Sequence, residues 1–174
     1  MATEPSVPAP PPEPWLRGPV ADVPVQLQPV AHALIAALED VEAAVSGLDA
    51  ARLWSKPGDV ASIGFHLAHL AGSTDRLMTY ARAEALTEAQ RDTLLRERRV
   101  EELRPSLETL LATWRGTVSA AIRALARTPI ASLQERREVG RAKLPSTVQG
   151  LLFHAAEHAA RHAGQIVTTS RLVR

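Results

Sequence analysis

The sequence predicts an all-α four-helix bundle, and three observations carry that expectation. Aromatic residues make up only 3% of the 174-residue chain, so a core has to be built from Leu, Ala, Val and Ile, which suits closely packed helices better than a β-sandwich. Apolar residues recur at helical spacing through most of the chain. Four of these periodic segments are long, joined by a short extra helix and one irregular crossover loop.

Residues 1–14, MATEPSVPAPPPEP, are Pro-rich and read as an extended, disordered tail, leaving residues 15–174 as the folded domain. A first helix is expected over residues 27–46, with Pro29 tolerated in its first turn and Gly47 just past its end. The turn SKPGD interrupts the pattern, and Asp59 is expected to cap a second helix reaching residue 82. Thr87 followed by Glu88 starts a short helical segment, LTEAQRDTLLRE, which is expected outside the main bundle. A third long helix is expected over residues 105–126, closed by Pro129. The segment REVGRAKLP has no helical period and reads as a loop or short extended piece, after which Ser146 is expected to cap a fourth helix to residue 170.

Composition excludes several function classes. The formal net charge is +1, from 20 basic and 19 acidic residues, which is no electrostatic footprint for nucleic acid or an anionic membrane. No apolar stretch is long enough to span a bilayer and the N-terminus lacks a secretory pattern, so a cytoplasmic location is expected. Without cysteine there are no disulfides, thiolate ligands or cysteine nucleophiles. Any metal would be held by nitrogen and oxygen.

Five of the six histidines sit in two short apolar segments. His154, His158 and His162 recur every fourth residue in LLFHAAEHAARHAGQI, which sets imidazoles about 6 Å apart along one helix face, the spacing two ligands of one ion require. On a helical wheel His162 lies about 30° from the centre of the apolar face, His158 about 70° and His154 about 110°. His154 and His162 are also about 12 Å apart along the axis, too far to share an ion without strain. His158 and His162 are therefore the candidate ligand pair, with His154 a neighbour. Upstream, in SIGFHLAHLAGSTDRL, the wheel favours His66 over His69 as the residue nearer the apolar stripe. Gly64, Ala68 and Gly72 form a run of small residues on the side of His69, where another helix or a cavity can approach. The residues themselves leave that choice open.

The segments SIGFHLAHLAGSTDRLMTY and LPSTVQGLLFHAAEHAARHAGQIVTT resemble the DinB-like superfamily of metal-dependent four-helix-bundle proteins. The resemblance is carried by a histidine followed by Leu-Ala in the second helix and by the late H-x-x-x-H followed by x-Gly-Gln. It implies a divalent ion, zinc or nickel, held by one histidine of the second helix and two of the last. Matched residue by residue, that pattern falls on His69, His158 and His162. His66, His154 and Gln165 are left as candidates to line the cavity or hydrogen-bond the ligands. The resemblance also implies a homodimer.

Three neutral imidazoles leave coordination positions on an ion open, the arrangement of a catalytic rather than a structural site. The expected function is a metal-dependent enzyme that activates water for hydrolysis, or a low-molecular-weight thiol for transfer to a small molecule. The resemblance points to bacterial thiol cofactors as such thiols. The alternative is a non-catalytic, dimeric bundle that binds a metal or small ligand. His154, Glu157 and His158 also match the H-x-x-E-H pattern of inverted zinc peptidases, but that reading promotes the histidine turned furthest from the core and lacks a distal acidic ligand. Arg136, Arg137, Arg141 and Lys143 of the irregular loop are candidates to recognise an acidic substrate group, or a solvated basic surface.

Overall fold

The computed structural model describes residues 11–174. Most of the tail expected over residues 1–14 thus lies outside the described residues, and Pro14–Leu16 forms a single 3-10 turn. Arg17 then ties this leader to the first helix through paired hydrogen bonds to Glu39 at 2.6 and 2.7 Å.

Four long helices make the bundle: α1 (Gln28–Val45), α3 (Ile63–Ala81), α6 (Leu107–Ala126) and α7 (Val148–Leu172). The short helices α2 (Ala50–Leu53), α4 (Glu88–Glu97) and α5 (Val100–Leu103) lie in the connections. Both α1 and α3 pack against α6 and α7, so the helices form a ring in the order α1, α7, α3, α6. Each brings an apolar stripe to the centre, where Leu34, Val41, Leu67, Leu70, Trp114, Leu125 and Ile166 are fully buried. In the middle of α7 the buried positions are alanine, Ala155, Ala156, Ala159 and Ala163. Small side chains there let its neighbours approach closely.

Several boundaries differ from the sequence reading, each for a local reason. Asp59 does not cap the second helix: it has a positive φ of 61° at the end of the Pro57–Asp59 turn. Ser62 is the cap, its hydroxyl accepting from the Phe65 amide at 3.1 Å. At the fourth helix the cap is Thr147 rather than Ser146, accepting from the Gly150 amide at 3.0 Å. Ser146 lies one residue earlier in a strand. The irregular crossover is a small antiparallel hairpin, β1 (Arg136–Val139) and β2 (Leu144–Thr147), with Arg136 opposite Thr147 and Val139 opposite Leu144. It rests on the far end of α3, where the Arg137 Nε donates to the Ala81 carbonyl at 2.7 Å.

The extra helix α4 opens with a capping box, Thr87 and Gln90 bonding each other's backbone amides. None of its residues is buried. It nevertheless lies along α3, with Gln90 donating to Asp75 and to Thr79, both at 2.7 Å. Its last residue, Glu97, reaches the histidines, so α4 is less separate from the bundle than the sequence suggests.

Candidate metal centre

The α3 and α7 helices run antiparallel, so the two histidine segments meet face to face. His69 lies against His158, their Nε2 atoms 2.8 Å apart, and His66 lies against His162, their Nδ1 atoms 2.9 Å apart. One nitrogen each from His69, His158 and His162 falls within 4.8 Å of the others, a group able to hold a metal ion. The three ring centroids are 4.5 to 5.0 Å apart.

Burial separates the two upstream histidines. His66 is 6% exposed, as its place near the apolar stripe requires, whereas the His69 side chain is 24% exposed. The wheel thus reads burial correctly, yet the less buried histidine is the one grouped with His158 and His162. His69 is also held between neighbours. The Phe65 ring stacks parallel to it with centroids 5.8 Å apart and 4° between planes. At the ring edge the Glu97 Oε1 lies 2.6 Å from its Nδ1.

The electrostatics favour the neutral form of His158 and His162. Burial pushes His158 down to about 4 and His162 down to about 3 from an ordinary value of 6.5, with the neighbouring imidazoles adding to the effect. Burial and His69 likewise lower His66. Neutral imidazoles offer lone pairs, which is the protonation state that ligation needs. Two Nε2 lone pairs facing each other at 2.8 Å repel unless a proton or a cation lies between them. The buried His158 Nδ1 has no hydrogen-bond partner in the structure.

Glu97 is not among the residues that the sequence singles out. Burial tends to raise its carboxyl, but hydrogen bonds from His69 and Arg76 more than offset that and hold it below the usual carboxylate range. Arg76 donates to its Oε2 at 2.9 Å. The remaining candidates lie apart. His154 is exposed and pairs with Glu157 at 3.2 Å, and Glu157 also pairs with Arg161. Gln165 is exposed on α7, without a hydrogen bond to the cluster. Arg136, Arg137 and Lys143 line a cavity of about 890 Å³ between the hairpin and Tyr80, Ala83 and Glu84. That cavity lies roughly 16 Å along α3 from His69, counted at the rise of a helix, so the basic hairpin does not cover the histidines.

The small residues on the His69 side admit both side chains and a cavity, for Ala68, Gly72 and Glu97 line one of about 510 Å³. A Cβ on Gly64 would meet the Trp54 ring at 2.5 Å, and one on Gly72 would meet the Glu97 carboxylate at 2.5 Å.

A family model described as the DinB superfamily matches residues 27–166. No curated protein matches the chain. Among the described residues no helix is long and apolar enough to cross a membrane.

Proposed function

The chain belongs to the DinB superfamily, and from that premise we propose that it is a metal-dependent enzyme whose divalent ion is held by His69, His158 and His162. The observation that carries the reading is the convergence of three imidazole nitrogens within 4.8 Å, from two helices that meet only in the folded bundle. The donor set is all nitrogen, which suits zinc, nickel, iron or copper, and the family membership favours zinc or nickel among them. When bound, such an ion makes water or a thiol acidic enough to act as a nucleophile near neutral pH.

The protein's own residues supply the rest. Burial keeps His158 and His162 uncharged, so their lone pairs remain available well below neutral pH. The partial exposure of His69 leaves the cluster open to solvent on one side, where a small molecule can enter. Three protein ligands leave positions for it. The substrate fitting this arrangement is a small electrophile, attacked by water or by a low-molecular-weight thiol such as a bacterial thiol cofactor.

One observation favours a second reading, a bundle that binds an ion without catalysis. Both nearby carboxylates are already paired, Glu97 with His69 and Arg76, and Glu157 with His154 and Arg161. Neither stands free as a general base. The test is metal analysis of the purified protein beside a His158→Ala/His162→Ala variant, followed by assays with thiol acceptors and esters. Metal in the wild type and its loss in the variant is the expected result, and equal content in both would overturn the site. Loss of metal with no thiol or ester activity in either protein would leave the binding reading.

A further inference from the structure

We infer that Glu97, brought to the cluster by α4, is a positioning residue that fixes His69 as its Nδ1–H tautomer and so aims the Nε2 lone pair at His158 and His162. The inference rests on reading that cluster as an ion site, and it concerns what makes His69 fit for it.

What each group can donate decides where the proton lies. The Glu97 side chain is 9% exposed and that of Arg76 is 13% exposed, so neither is satisfied mainly by water. A carboxylate only accepts, and the Glu97 Oε1 lies 2.6 Å from the His69 Nδ1, so the proton of that contact belongs to Nδ1. The charge on Glu97 is already balanced by Arg76, whose Nη1 lies 2.9 Å from Oε2. The imidazole need not be cationic to hold its place. A neutral ring with hydrogen on Nδ1 carries its lone pair on Nε2, and Nε2 is the atom 2.8 Å from His158. The Phe65 ring stacked on His69 resists rotation of the imidazole out of this plane. Carboxylate–histidine pairs of this kind orient metal ligands and raise their basicity.

Gly72 is part of the same device. A Cβ there would lie 2.5 Å from the Glu97 Oε2 and 2.7 Å from the Arg76 Nη1, so a side chain at this position would displace the ends of both partners from their present place against α3.

Competing roles predict different chemistry at one atom. In Glu97→Gln the shape is kept, but Arg76 can only donate and claims the single amide oxygen. The amide NH2 is then left facing His69 Nδ1, which favours the opposite tautomer and removes the lone pair from the cluster. A purely structural Glu97 would tolerate this isostere. The experiment is nitrogen NMR of histidine-labelled protein in chelator, with zinc affinity measured by competition. Wild-type His69 should show the Nδ1–H tautomer, and Glu97→Gln should shift it toward Nε2–H and weaken zinc binding by about 10- to 100-fold. Adding Arg76→Met frees the amide oxygen for His69 and should restore both signals. An imidazolium or Nε2–H form in the wild type would overturn the inference without any variant. So would wild-type zinc affinity in Glu97→Gln. Wild-type protein that takes up no zinc would overturn the ion site itself, and this inference with it.

Discussion

At the scale of single residues, glycine substitutions separate packing from propensity. Replacing a mid-helix glycine by alanine normally gains about 0.5–1 kcal/mol from lower backbone entropy in the unfolded chain. A Cβ added at Gly116 in α6 would meet nothing within 4 Å, so Gly116→Ala should raise stability by about that amount. Gly64→Ala meets the Trp54 ring at 2.5 Å, and Trp54 is only 9% exposed. Overpacking of this kind typically costs about 1–3 kcal/mol, more than the propensity gain. Denaturant titration of the two variants should give shifts of opposite sign, and a stabilising Gly64→Ala would show that Trp54 moves freely. The same scale shows what can be read in the sequence. His158 and His162 are legible because an i, i+4 pair on one helix is a local pattern. His69 is not separable from His66 by periodicity, since the wheel reports which side chain is buried and the cluster uses the less buried one. Glu97 leaves no local signature at all: its contact with His69 spans 28 residues and depends on how α4 docks.

At the scale of elements, the long helices are visible in the sequence because their apolar stripes repeat over many turns, and their observed ends lie within a few residues of those expected. The short helices α2 and α5 carry too few residues for a period to appear. Capping residues differ from those expected by one to three positions because Ser, Thr and Asp at neighbouring sites are equivalent until the backbone angle is known. The α4 helix is held differently from the others. With no buried residue, its docking depends on the capping box and on polar contacts made by Gln90 and Glu97. Thr87→Ala should therefore cost about 1 kcal/mol at α4 itself. Amide hydrogen exchange should accelerate in α4 while the protected amides of α3 and α7 are unchanged. Uniform acceleration in all three would mean that α4 unfolds only with the whole bundle.

At the scale of the whole molecule, the buried imidazoles couple stability to pH. In the unfolded chain His158 and His162 take up protons near their ordinary value of 6.5, whereas in the folded chain they resist until about 4 and about 3. Between these limits the unfolded state binds more protons, so the contribution present above 6.5 is lost as pH falls toward 3. The lowered Glu97 carboxyl acts in the same direction below its ordinary value of 4.5. In chelator, the melting temperature should fall steadily on acidification from neutral pH, with a shallower slope in His158→Ala/His162→Ala. Identical slopes would place the titrating groups elsewhere.

The two histidine contacts join residues 89 and 96 positions apart in the chain. Closing loops of that length is an entropic cost that apolar burial between α7 and its neighbours has to meet before any imidazole finds its partner. The histidine cluster is therefore a product of the tertiary fold, since neither helix alone brings its nitrogens together. A metal held there would draw on residues from both helices, so its site would exist only where the fold brings them together.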